Sequence, residues 1–268
     1  MTAANELLRP TFLAGLPVLK AKEARSHVNM LIYGKSGVGK TVLAASADAV
    51  PSMRGVLIID VEGGTMSAGE RYPDCDVVRV KNWNGIAEIY DVLQTGNHQW
   101  NTVIIDSLTE AQKFNMSAVM VKRIQEREEK GEVQDPDVPD MRAWGKNIEQ
   151  IRKFVRAFRD LDMNVIFTAL VKEEKNPRSG VIERMPYLSG KLAGEVAAFL
   201  DIVVYMYMKT FDDEVKRIIL TAATDEYVAK DRTGKLPPVM EAPSMEEIMK
   251  YAVTSRDTRA SAVVSSTE

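Results

Sequence analysis

The chain has 268 residues, is 45% hydrophobic and 27% charged, and carries a formal net charge of −3. That length and balance suit a globular protein with a large core and exclude a disordered chain; Cys75, the single cysteine, excludes an internal disulfide and suits a reducing cytoplasm. The negative charge gives no global pull on nucleic acid, so such binding would need a local basic patch, and no apolar run approaches the roughly 20 residues of a membrane helix.

Residues 1–27 read as an N-terminal arm broken by Pro10 and Pro17. Residues 28–33 are an apolar run with the look of a buried strand. Next come Gly34, Lys35, Ser36, Gly37, Val38, Gly39, Lys40 and Thr41, which fit G-x-x-x-x-G-K-[ST], and a helix predicted over 41–49 before Pro51. Strand, glycine loop and helix are the setting this pattern requires. The glycines let the backbone wrap closely around a phosphate, and the loop N–H groups and helix dipole favour the anion. Lys40 would reach the β- and γ-phosphates and the Thr41 hydroxyl would ligate Mg²⁺. The expected ligands are ATP and Mg²⁺; the plainer reading is a glycine-rich turn that caps a helix.

A second apolar strand, 55–61, runs into Asp60, Glu62, Gly63 and Gly64. Glu62 is the candidate catalytic base for an attacking water and Asp60 a supporting acid, against two solvated carboxylates in a turn. Strands are predicted at 76–80 and 102–106. The second ends in Asp106, where a buried parallel strand meets its ligand edge; Asp106 is either the second Mg²⁺-holding acid or a cap for the helix starting near Thr109. Residues 122–140 are densely charged, with Pro136 and Pro139, and read as a mobile loop. Over 142–161, Trp144, Ile148, Ile151, Val155 and Phe158 recur at helical spacing and predict one buried face. In the strand 164–170, Thr168 is a lone hydroxyl needing a partner: neighbouring backbone, or the attacking water or γ-phosphate. Residues 172–184 read as a flexible polar loop whose Lys172, Lys175, Arg178 and Arg184 could meet single-strand phosphates or only solvent. Strands 202–208 and 215–222 predict a hairpin, and 254–268 a disordered tail, leaving 28–253 as one domain.

In this order the P-loop, Asp60-Val61-Glu62-Gly63-Gly64, Ile104-Ile105-Asp106-Ser107-Leu108-Thr109-Glu110 and the Thr168 strand resemble the RecA-like ATPases of tailed phages, including the RecA-like single-strand annealing group, over about residues 28–240. The resemblance implies an α/β, RecA-like P-loop NTPase fold: a mostly parallel central sheet flanked by helices, with a C-terminal hairpin. It implies a slow ATPase of phage DNA recombination in the host cytoplasm, stimulated by assembly or DNA. The partners it implies are further copies of the chain in a ring or filament, single-stranded DNA and a phage single-strand binding protein. Ala229-Lys230-Asp231-Arg232-Thr233-Gly234 is similar to the lysine-x-arginine segment that reaches a neighbour's nucleotide site, making Arg232 an arginine finger and Lys230 its partner. The family's DNA loops map to 122–140, where Glu126, Glu128, Glu129, Glu132, Asp135 and Asp137 depart from a DNA-binding loop, and to 172–184. Phe12-Leu13-Ala14-Gly15 is faintly similar to the aromatic-x-x-alanine tether of recombinase filaments, with Gly15 in place of alanine.

Three other readings use the same loop. Lys35 stands where deviant P-loop partition ATPases carry a second lysine, although Ser36 replaces their glycine. A small-molecule kinase would need an acceptor pocket and an arginine-rich lid. A nucleotide-gated binding module would need little turnover.

Overall fold

The computed structural model describes residues 12–18 and 27–252. The expected tail at 254–268, and most of the expected arm at 1–27, lie outside the described residues. Two short strands, β1 (Phe12–Leu13) and β2 (Leu16–Pro17), pair antiparallel. The main sheet then takes β3 (Asn29–Gly34), β4 (Val56–Asp60), β5 (Asp76–Arg79), β6 (Thr102–Asp106), β7 (Asn164–Lys175), β8 (Ile182–Pro186), β9 (Ile202–Phe211), β10 (Glu214–Leu220), β11 (Lys230–Asp231) and β12 (Val239–Glu241). The helices are α1 (Lys40–Ala45), α2 (Met66–Arg71), α3 (Trp83–Gln94), α4 (Leu108–Glu128), α5 (Met141–Arg159), α6 (Leu192–Phe199) and α7 (Met245–Ala252).

The strand order is β12-β10-β9-β3-β7-β6-β4-β5, with β11 beside β9 and β8 beside β7. Strands β5, β4, β6, β7, β3 and β9 run parallel, and β10 turns back on β9 as the expected hairpin. The α/β fold with a mostly parallel sheet flanked by helices is as the sequence predicts. Continuous apolar strands are what a sheet covered on both faces demands. Along β3, Met30 and Ile32 pack with Leu43 and Ala44 of α1, while Leu31 and Tyr33 pack with Phe154 and Phe158 of α5. At ~25 cal/mol per Å² of buried apolar surface, these two cores are the main stabilising term.

Strand β7 lies between β3 and β6, so the Thr168 strand separates the P-loop strand from the Asp106 strand. Register then aligns the chemistry. Ile32 is opposite Thr168, Ile105 is opposite Phe167, and Asp60 is opposite Asp106. Asp60 and Asp106 end their strands, at the C-terminal edge of the parallel sheet where ligands bind in such folds.

Several expected boundaries move. The charged stretch from 122 is not loop throughout: α4 continues to Glu128, held by Arg123 and Arg127 on Asp140 at 2.9 and 3.2 Å, with Val119 and Met120 buried near Ala143. Residues 172–184 are not a flexible loop either. Strand β7 runs on to Lys175 and pairs antiparallel with β8, because a ladder satisfies the backbone without an apolar face. On α5 the buried stripe holds at Ile151, Val155 and Phe158, but Trp144 is 40% exposed at the helix's outer end. The basic face of α5 is engaged structurally: Arg152 pairs with Glu195, and Arg156 lies over the Phe199 ring.

Candidate active site

The loop after β3 has the shape its glycines permit. A Cβ on Gly34 would lie 2.2 Å from the Met206 carbonyl oxygen, so nothing larger fits between β3 and β9 there. Gly37 and Gly39 take φ of 75° and 106°, a region that favours glycine. Helix α1 begins at Lys40, so its first N–H groups open onto the loop. The buried Lys40 ammonium donates to the Gly34 and Lys35 carbonyls at 3.2 and 3.0 Å. Burial pulls its pKa below the usual lysine value, and the carboxylates of Glu62 and Asp106 partly offset this. Ser36 and Lys35 are exposed along the loop, and Val38 anchors it in the core.

Across from α1, the Thr41 hydroxyl donates to Asp106 Oδ2 at 2.7 Å, and the Thr168 hydroxyl donates to Asp106 Oδ1. Thr168 therefore has the side-chain partner that its buried position demands. Asp106 does not cap α4. That cap is Ser107, whose Oγ accepts from the Glu110 N–H at 3.3 Å, and the Asp106–Ser107 peptide is cis.

Glu62 lies on the loop after β4. Ser107 Oγ donates to Glu62 Oε1, and the Val61 and Glu62 N–H groups bond the Asp106 carbonyl at 2.7 and 3.3 Å. Asp60 is fully buried and its carboxylate is used by this loop. It accepts from the N–H groups of Gly63 and Gly64 at 2.6 and 3.3 Å and from Arg79 at 3.3 Å. Asp60 is thus a loop anchor that sets where Glu62 stands. Sequence reasoning missed Ser107 as the contact of Glu62, and Arg79 as the partner of Asp60. The register of β4 with β5 and β6, which the sequence does not state, brings both together.

Lys230 and Arg232 are not joined to this group. Lys230 is level with Val203 near the start of β9, whereas Gly34 is level with Met206. The Lys230 ammonium donates to the Ala197 and Ala198 carbonyls at the end of α6, each at 3.0 Å. Arg232 donates to Asp201 Oδ1 at 2.8 Å and to the Ala198 carbonyl at 3.3 Å.

The donor set fits the ligands expected. Among the described residues no three or more His, Cys, Asp or Glu side chains cluster as a metal cage. Thr41 and Asp106 instead offer two adjacent oxygens, suited to a Mg²⁺ that keeps waters and shares phosphate oxygens. The glycine cradle and the buried ammonium suit a polyphosphate.

The AAA domain family matches the chain over residues 26–233, and the chain belongs to it. Its α/β sheet and glycine loop give it the fold and the phosphate-loop pattern of a P-loop protein. Two solved structures are similar to it. A KaiC-like protein from the hyperthermophilic archaeon Pyrococcus horikoshii OT3 is 15% identical, covering 72% of this chain and 77% of that one, with a TM-score of 0.40. The flagellar accessory protein FlaH from Methanocaldococcus jannaschii is 11% identical, covering 81% and 85%, with a TM-score of 0.42. No curated protein sequence matches. Among the described residues, no helix is long and apolar enough to cross a membrane.

Proposed function

We propose that the chain binds ATP with Mg²⁺, hydrolyses it slowly at a site completed between subunits, and couples this to phage DNA recombination or single-strand annealing. The observation that carries the nucleotide part is the pair of hydroxyls on Asp106: Thr41 from the P-loop helix and Thr168 from the neighbouring strand grip the two oxygens of one carboxylate. That carboxylate is thereby oriented beside the loop and Lys40.

Each residue then has a task. The loop N–H groups of 34–41 and Lys40 bind and orient the triphosphate. Thr41 and Asp106 hold Mg²⁺, which when bound neutralises phosphate charge. Glu62 takes the proton of the attacking water, and Ser107 fixes the face its carboxylate presents. Thr168 keeps Asp106 in register. Lys230 and Arg232, held on the α6 carbonyls and Asp201 rather than on their own loop, act on the nucleotide of a neighbouring copy, and a guanidinium there offsets developing charge.

For single-stranded DNA, the β7–β8 hairpin presents Lys175 and Arg178 at its exposed turn. Lys172 and Arg184 are occupied in ion pairs with Glu174 and Glu173. Steady-state phosphate release tests the whole reading. It should require Mg²⁺ and rise when a single-stranded oligonucleotide is added. No release under any condition would reduce the chain to a nucleotide-gated binding module, and release indifferent to DNA would remove the recombination role.

A further inference from the structure

We infer that Arg217 is a phosphate ligand acting in cis, reaching the bound nucleotide from β10; the inference rests on the nucleotide reading above. Strand alternation sets its direction. Arg217 and Ile219 share a face of β10, and Ile219 packs with Val38, Leu43 and Met206 on the α1 side of the sheet. The same face carries the Arg217 side chain over the phosphate loop. Its Nε donates to the Val38 carbonyl at 3.1 Å. A Cβ on Gly39 would meet Arg217 Nε at 3.0 Å and Cδ at 3.3 Å, so the side chain lies across the glycine just before Lys40.

Guanidinium has five donors in a fixed fork, and here the loop backbone takes one. Among the described residues, the terminal amino groups donate to no other partner and Arg217 has no carboxylate in an ion pair. An arginine tethered at the rim of an anion cradle, with the planar end of its fork uncommitted, matches the geometry in which arginine binds phosphate. The tether also joins the β9–β10 hairpin to the occupancy of the loop.

Three proteins decide this: wild type, Arg217→Gln and Arg217→Lys, titrated calorimetrically with ATP and with ADP in Mg²⁺ at two salt concentrations. Gln keeps an amide donor for the Val38 carbonyl and loses the charge; Lys keeps the charge and loses the fork. Thermal unfolding of the free proteins should be alike, since the residue is exposed. Arg217→Gln is expected to weaken ATP binding roughly tenfold or more, with the deficit shrinking at high salt, while Arg217→Lys, with the charge but not the fork, recovers at most part of it. If Gln binds like wild type, or its deficit is the same at both salt concentrations, the inference is overturned and the tether serves only the loop's shape. If wild type itself takes up no nucleotide, the reading beneath it falls too, a separate and recognisable result.

Discussion

Glu62 is exposed, yet its carboxylate is not at liberty. Ser107 donates to it, and Asp60 pins the following turn through the Gly63 and Gly64 N–H groups. If Glu62 is the proposed base, a carboxylate held this way is already oriented for the proton it would take. Glu62→Gln should retain ATP affinity and slow phosphate release by roughly 10²–10⁴; unchanged release, measured beside calorimetric binding, would move the base elsewhere. At this scale the sequence is informative wherever residues are close along the chain. The P-loop is one contiguous pattern, and Asp106 and Thr168 stand out as polar groups in apolar strands. Ser107 and Arg217 are silent in sequence, because their partners, Glu62 and Val38, reach them only through strand pairing.

Helix α5 shows how an element's boundary is set by charge as much as by periodicity. Asp140 accepts from the Ala143 N–H at 2.8 Å and pairs with Arg123 and Arg127 of α4. These contacts, the backbone bond first, lower its pKa from 3.8 to about 2. A depressed carboxylate pKa gives stability that is present above the unfolded value and lost as pH falls through the folded one. Asp140→Asn keeps a capping acceptor but not the charge. Wild type should therefore melt above the variant at pH 7, and the gap should narrow as pH drops below about 4 and close near 2. A gap independent of pH would mean the ion pairs contribute nothing. The same pairs explain why α4 outruns its expected end: periodicity seeks apolar faces, and residues 122–128 are ordered by arginine and acid instead. Helix α3 carries its own signals in the sequence: Asn82 caps it, and Ile86, Ile89, Tyr90 and Leu93 recur at helical spacing. The extension of β7 to Lys175 had no such signal, because its partner β8 supplies hydrogen bonds and not an apolar stripe.

Across the whole molecule, Lys230 sits beside the start of β9, level with Val203, and Gly34 is level with Met206 midway along that strand. In the proposed trans role, assembly of further copies would bring one copy's β11 to another's loop. Arg232→Ala should keep ATP affinity and lose only the hydrolysis that rises with protein concentration, with light scattering reporting the assembly. Full activity from a demonstrated monomer would end the trans account. The α/β class and the parallel strands were readable from apolar runs, but the insertion of β7 between β3 and β6 was not, and that insertion sets Thr168 beside Asp106. Everything rests on a triphosphate in the cradle around Lys40. The most direct measurement is calorimetric titration of ATP with Mg²⁺ into wild type and Lys40→Ala. Saturable uptake near one nucleotide per chain, weakened roughly tenfold or more in the variant, is the result predicted, and no uptake by wild type, or equal uptake by both, would contradict it.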